Sequence, residues 1–539
     1  MTSVCPAGRP GWSAGYVGVV KVMATWLDGF DIGTATRWEL PALGALAGSS
    51  AVARLDNGMA YLTGLTGEHL ATGLDPNDAD RQAAVDFDPG DYSVRQRGTA
   101  RPSVFRDTRA AVFDPCYFNL AKTAPTVQGV VDWGAHDPGG PRNERPEGLA
   151  AEVEEKFGAY PARQWLYATP WASPDRSAKM GADLCQAVRR RSMIARWLMG
   201  ERLTDWDFAF VGVSEAHTGS EGLFHGADPE HPMAGVASAA AAGDGLRGVF
   251  LEIDQLVADL LAAFPEVVHV VFTMHGMGPN DSDVASMVLL GELMRRWAGD
   301  DTPDVTWPLD EIGVPELGAD ESWVHPIREK LGFGPSLATR VTGRLPTPAR
   351  RVLTSVGVGR GPSSNVDWMP LTRHQPEWHR MRAFAIPSFY DGRVRLNVKG
   401  REATGLVDVA DYQAVLDEIE GVLRECRDSR TGRPAVTSID RPQTDPMEAG
   451  PSDADLVVHW NGMVLGLDHP RLGRMGPFPP RRTGGHTNPR GACFIHGPGI
   501  EPTDLGTRSS FDVVPTLFAL LGQDPPWTPS GSPMPVPLA

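Results

Sequence analysis

Apolar runs long enough for a buried strand alternate along this chain with stretches whose apolar residues recur every three or four positions. That alternation predicts an α/β protein with a mainly parallel sheet sandwiched by helices. The first run, Tyr16–Thr25, is rich in valine and gives way to Trp26-Leu27-Asp28-Gly29. Further strands are expected at Asp207–Ser214, Val267–Thr273, Arg393–Val398 and Asp455–Trp460, and helices at Ala182–Arg202, Leu246–Phe264, Val284–Trp297, Tyr412–Arg427 and Phe511–Leu521. Two stretches, about 76–110 and 299–380, show neither period. The second is rich in Pro, Gly and Arg, and a loop of that length inside a compact domain implies a job or a cap. The chain therefore reads as one large α/β domain, residues 1–298 and 381–539, with 299–380 as an insertion or cap. Ala237–Ala242 reads as a loop or helix start, and the Pro-rich Asp524–Ala539 as an extension lying on the surface.

Composition narrows the function without changing this outline. The 539 residues are 41% hydrophobic and 22% charged, an ordinary globular balance that leaves no room for disorder or collagen-like repetition. Lys+Arg number 50 against 67 Asp+Glu, a formal charge of −17. Such an excess of acid disfavours the phosphate backbone of nucleic acid as a partner. No run reaches the roughly 18 to 20 apolar residues of a membrane span, and the amino terminus lacks a signal-peptide core, so no membrane association and a cytoplasmic location are expected. The five cysteines are dispersed and form no CxxC pair, which argues against a disulfide framework or a thiolate metal site. A GxG-like run near Gly357–Gly361 lacks the strand-turn-helix setting of a dinucleotide fingerprint, and there is no P-loop.

Candidate chemistry sits in short segments just after strands: Asp28 in WLDGFD, His217 and Glu221 in SEAHTGSEGLFH, His275 in FTMHGMG, and His486 in RTGGHTNPRG. Imidazole and carboxylate are the ligands that Zn²⁺ and Mn²⁺ take when thiolates are absent. The spacing of four between His217 and Glu221 puts both side chains on one face of a helical turn. Glu215, His225, His231, Asp281 and Asp283 are further donors nearby. Lys399, Arg401 and Arg482 are candidates for contact with an anion, Arg being suited to a bidentate grip. For Lys399 and Arg401 a solvated turn fixed by Gly400 is the alternative. Trp26, Phe30 and Phe224 are either pocket or core, and Arg189–Arg191 is either a solvated face or a source of internal ion pairs.

In their order along the chain these segments resemble the alkaline phosphatase superfamily, specifically its type I phosphodiesterase/nucleotide pyrophosphatase and phosphohydrolase/phosphomutase branch. LDGFD is similar to the opening metal-binding strand end. Thr63 lies nine residues before Thr72-Gly73 in TGLTGEHLATG, where the family keeps its nucleophile, with Thr66 as its rival. RVRLNVKGREATGLV resembles the family's NLKGRE segment, and GGHTNPRGACFIHGPGI followed by SFDVVPTLFALLG resembles its last metal histidine, strand and closing helix. The likeness runs from about residue 17 to 523.

The resemblance implies a site of one or two divalent ions, zinc foremost and manganese next. His217, Glu221 and His486 would hold one ion, and Asp28, Thr63 and His275 the other. It implies hydrolysis of a small anionic phosphate or sulfate ester through a covalent intermediate on Thr63. Transfer to another acceptor and a degenerate binding protein are the alternatives, and a homodimer is possible. Two departures stand out. Met274-His275-Gly276 replaces the family's Asp-His-Gly, and the middle pair has histidine before the carboxylate. Two ions would then face only Asp28 and Glu221, one carboxylate fewer than a site that kept aspartate at position 274.

Overall fold

The computed structural model describes residues 21–98, 101–137, 139–299, 304–318, 323–332, 366–448, 450 and 452–537. Residues 16–20 of the first expected strand, Cys5 and the Gly357–Gly361 run lie outside the described residues. A nine-stranded sheet forms the centre, in the order Thr503–Ser509, Ala51–Asp56, Arg490–His496, Val268–Thr273, Val22–Leu27, Phe208–Val213, Ala110–Phe113, Val127–Val131 and Asn143–Arg145. Seven of these strands run parallel. Arg490–His496, in the interior, and Asn143–Arg145, at an edge, run against them.

Strand alternation divides the core between the two faces. Met23 and Leu27 join an apolar cluster under the helices Leu149–Phe157, Pro174–Trp197 and Ala239–Ala263. Val22, Ala24 and Trp26 join another under Thr66–Thr72 and Val513–Leu521. Buried on both faces, the central strands carry no polar alternation, which is why they read as continuous apolar runs. The helices Pro174–Trp197 and Ala239–Ala263 approach so closely that a Cβ on Gly181 would come within 2.4 Å of the Cα of Gly245. The alanine-rich 237–242 segment supplies the start of the second of these helices.

A third apolar cluster builds a second lobe. It joins Val284–Met294, Trp323, Ile327 and Trp378 to a four-stranded antiparallel sheet, Ala383–Ile386, Gly392–Leu396, Leu456–Trp460 and Val436–Asp440, and to the helix Tyr412–Glu425. The carboxyl-terminal extension lies against the main domain. Trp527 Nε1 donates to Thr72 O at 2.8 Å, and Met534 is buried. Among the described residues no helix is long and apolar enough to cross a membrane.

Candidate metal centre

The segments singled out above converge at the carboxyl ends of the parallel strands, where open α/β sheets collect ligand chemistry. Asp28 follows Val22–Leu27, the helix Glu215–Leu223 follows Phe208–Val213, and His275 follows Val268–Thr273. His486 lies on Gly484–Asn488, which pairs antiparallel with Gly276–Pro279. Gly29 is indispensable to this convergence: its φ is +63° and a Cβ there would sit 2.7 Å from the His217 Cα.

His217 is the hub. Its Nδ1 lies 2.9 Å from Asp28 Oδ2, and its Nε2 lies 3.6 Å from Glu221 Oε1 and 3.1 Å from His486 Nε2. His486 Nδ1 is 3.2 Å from the Tyr61 carbonyl, and Tyr390 stacks on the ring at 4.2 Å. His275 packs beside His486 with ring centroids 4.4 Å apart. Its Nδ1 is 3.0 Å from Gly276 O, and its buried Nε2 meets no hydrogen-bonding partner. Arg482 grips Glu221 and is also bonded to Asp283 at 2.7 and 2.6 Å, and Thr483 N donates to Glu221 O at 2.7 Å. Asp28, His217, Glu221, His275 and His486 are all buried.

His136 joins this cluster without having been singled out in the sequence. Its Nε2 is 3.3 Å from Glu221 Oε2, its Nδ1 is 2.8 Å from Thr218 Oγ, and its ring stacks on His217 at 4.1 Å. Ligand atoms of His136, His217 and Glu221 all lie within 4.8 Å of one another. A WGAHDPG turn after the short apolar run at Val127–Val131 was the available signal.

Burial and charge set the protonation states. Burial pushes the Asp28 carboxyl up, but the adjacent His217 imidazole outweighs it and leaves Asp28 below its ordinary range. Burial would lower His217, yet Asp28 and then Glu221 drive it up to about 10. Glu221, despite burial, is held well below the carboxylate range by Arg482, His136 and His217. His486 is pushed well down by burial and by His275 and His217, and burial lowers His275 as well.

These tautomers test whether a metal fits. His217 and His486 each turn Nδ1–H toward an acceptor oxygen, so two Nε2 atoms face each other at 3.1 Å and need one cation between them. In the metal-free protein that cation is the proton on His217. Two nitrogens bound to one tetrahedral zinc at about 2.0–2.1 Å would stand roughly 3.3 Å apart, so the spacing suits a metal equally well.

The turn that carries Thr63 borders the imidazoles, its Tyr61 carbonyl meeting His486 Nδ1. Thr63 ends the turn Ala60–Thr63. Its Oγ donates to Ala60 O at 2.8 Å, accepts from Leu65 N at 3.1 Å and lies 3.2 Å from His69 Nε2. It lines a cleft of about 340 Å³ between this turn and the second lobe, together with Asp75, Gln82, Asp391, Arg393 and His459. Thr66 Oγ is buried without a hydrogen-bonding partner. Lys399 pairs with Asp408 on the second lobe, and Arg401 pairs with Asp455 and Glu402, so neither side chain meets the imidazole cluster. Asp283 is taken up by Arg481 and Arg482. Trp26, Phe30 and Phe224 belong to the core. Arg191 is fully buried between Asp114 and Glu215, whereas Arg189 pairs at the surface with Glu252.

No family model matches the sequence, and no curated protein matches it. Solved structures similar to this chain include murine ectonucleotide pyrophosphatase/phosphodiesterase 5 in complex with AMP. That pair is 11% identical, covers 95% of this chain and 97% of the other, and has a TM-score of 0.47. The human ectonucleotide pyrophosphatase/phosphodiesterase 5 is also 11% identical with the same coverage, at a TM-score of 0.45. Phosphonoacetate hydrolase from Sinorhizobium meliloti, in complex with phosphonoformate, is 13% identical over 94% of this chain and 95% of its own, at 0.44. The likeness is one of overall chain course.

Proposed function

We propose that this protein is a metal-dependent hydrolase of small phosphoric or sulfuric esters, with a divalent ion held by His217, Glu221 and His486. The observation that carries this reading is the facing pair of Nε2 atoms, 3.1 Å apart, beside a buried carboxylate. An ion bound there would polarise an ester oxygen as a Lewis acid. Zinc suits imidazole and carboxylate donors, with manganese next.

Thr63 is the proposed nucleophile. It lines the interlobe cleft, and its hydroxyl has a hydrogen-bonding partner 3.2 Å away in His69 Nε2, whose Nδ1 is engaged with Leu74 O. Burial pushes His69 down to about 3, so this imidazole is neutral and a weak base that orients the hydroxyl without taking up its proton. As Thr63 Oγ bonds to phosphorus or sulfur, the bond to the ester oxygen breaks and that oxygen takes up the proton Thr63 gives up; water then cleaves the Thr63 ester, releasing the acid and restoring the hydroxyl. Arg482, already neutralised by Glu221 and Asp283, holds the carboxylate ligand in place.

Purified protein is expected to contain Zn²⁺ or Mn²⁺ and to cleave a nitrophenyl phosphate, phosphodiester or sulfate. Thr63→Ala should lower turnover by several orders of magnitude while leaving metal content intact. An active Thr63→Ala protein would remove Thr63 from this role, and a dead Thr66→Ala with the same metal content would transfer the role to Thr66. A second reading, a centre that holds an ion without turnover, is favoured by the burial of every ligand and by methionine at position 274. Metal-loaded protein inactive on all three ester classes would support it.

A further inference from the structure

We infer that the centre takes one divalent ion, and that Asp28 and His136 position its ligands instead of binding metal themselves. The inference rests on the proposed metal site but concerns its stoichiometry and the roles of individual residues. A second ion would need Asp28, His275 and Thr63, and Asp28 gives one oxygen, and Thr63 its hydroxyl, to protein partners. The Asp28 carboxylate is bonded to His217 Nδ1 at 2.9 Å, and the Thr63 hydroxyl is held by Ala60 O, Leu65 N and His69. His275 retains a bare Nε2, but the neighbouring residue that should bring a carboxylate is Met274, buried in the apolar cluster with its carbonyl taking Ser510 Oγ at 2.7 Å. Asp31 is equally engaged, capping Thr34 N and accepting from Asn488. The carboxylate whose charge reaches His275 is Asp28, already bonded to His217 through Oδ2, so a second dication would have to compete with that bond.

Asp28 instead has the geometry of an outer carboxylate that fixes a metal-binding histidine: it takes Nδ1–H and leaves Nε2 as the donor to the ion. His136 has the complementary geometry toward Glu221. Its ring is stacked on His217, 4.1 Å away and only 22° from parallel, so the in-plane lone pairs of the two rings do not converge on one ion. Its Nδ1 faces Thr218 Oγ, and with that hydroxyl donating, Nε2–H points at Glu221 Oε2. Thr218 therefore sets the tautomer that lets His136 donate to the carboxylate ligand.

The test is metal titration of the purified chain, followed by cobalt substitution. Wild-type protein should bind one equivalent of Zn²⁺, with no second equivalent of comparable affinity. Asp28→Asn and His136→Gln, which retain a hydrogen-bonding group, should bind one equivalent about 10–100-fold more weakly. The visible absorption of Co²⁺ should stay at wild-type energies in both. His217→Ala and His486→Ala should lose that spectrum, and Thr218→Val should weaken binding in the direction of His136→Gln. Circular dichroism of the metal-free variants separates misfolding from loss of a contact, and a misfolded variant is replaced by Asp28→Ser or His136→Asn. A second tight equivalent overturns the single-ion centre. A shifted Co²⁺ spectrum in Asp28→Asn or His136→Gln makes that residue a ligand and overturns its positioning role. One tight ion with no ester cleavage leaves the inference standing and defeats only the proposed function, whereas no metal binding defeats both.

Discussion

Buried imidazoles in this chain fall into two groups. His217, between Asp28 and Glu221, keeps its proton in the metal-free protein. His69, His225 and His374 have been pushed down to about 3, about 3 and about 2, by burial first and then by neighbouring positive or imidazole groups where present. Each of the second group is neutral in the fold but takes a proton at about 6.5 once unfolded. The unfolded chain therefore binds more protons below pH 6.5. The stability these residues contribute is complete above that pH and is lost as the pH falls toward 3, by about 1.4 kcal/mol per pH unit for each residue. Urea denaturation at pH 7, 5.5 and 4.5 should show this decline, and His225→Gln with His374→Gln should flatten it. An unchanged slope would assign the decline to carboxylates. At this scale the sequence disclosed donor types but not their duties. The sequence offers Asp28 as a donor but not the His217 imidazole, 189 residues away, that bonds it, and no spacing encodes the ring plane of His136.

Among the elements, the long apolar or amphipathic ones were legible and the short ones were not. Strands expected at 207–214, 267–273 and 455–460 are present as Phe208–Val213, Val268–Thr273 and Leu456–Trp460, and the helix expected from Tyr412 ends at Glu425. Ala51–Asp56 and Val127–Val131 escaped because Arg54 and Asp56 in one and Gln128 and Gly129 in the other break the apolar run, and Ala110–Phe113 because four residues give too little period. The helix Pro174–Trp197 presents one arginine to solvent and another to the core, which composition alone left open. Arg191 bonds Glu215 at the start of the His217 helix and Asp114, whose oxygens also accept from Trp133 N and Gly134 N on the loop to His136. One guanidinium thus ties three elements of the centre together. Arg191→Met should strand two buried carboxylates and destabilise the fold by about 3–5 kcal/mol. It should also weaken metal binding, because the His136 loop and the His217 helix lose their shared anchor. An unfolding free energy within about 1 kcal/mol of wild type, taken from midpoint and slope together, would argue against this linchpin role.

The whole molecule carries a charge of −17, yet the proposed substrate is an anion. The long-range field opposes encounter, and attraction would come from the proposed ion. Raising ionic strength from about 10 to 150 mM shortens the Debye length from about 30 to 8 Å. Screening should therefore raise kcat/KM for an anionic ester, with kcat little changed. A fall in kcat/KM with added NaCl would mean that a local basic field dominates approach. The second lobe has its own apolar cluster, and the cleft beside Thr63 is bounded by both lobes, so the proposed chemistry would draw on distant parts of the chain.

The strand Arg490–His496 lies inside the sheet, hydrogen-bonded to Ala51–Asp56 on one side and Val268–Thr273 on the other. During synthesis both neighbours leave the ribosome more than two hundred residues before the strand that separates them. Until it arrives, Val268–Thr273 carries one unpaired apolar edge, and Ala51–Asp56, whose other neighbour Thr503–Ser509 comes later still, has no partner strand; such surfaces recruit chaperones or aggregate. The second lobe is translated in that interval and can condense around its own cluster first. A ribosome that stops before residue 490 releases a chain with an open sheet, so early termination should yield insoluble protein and not a soluble fragment.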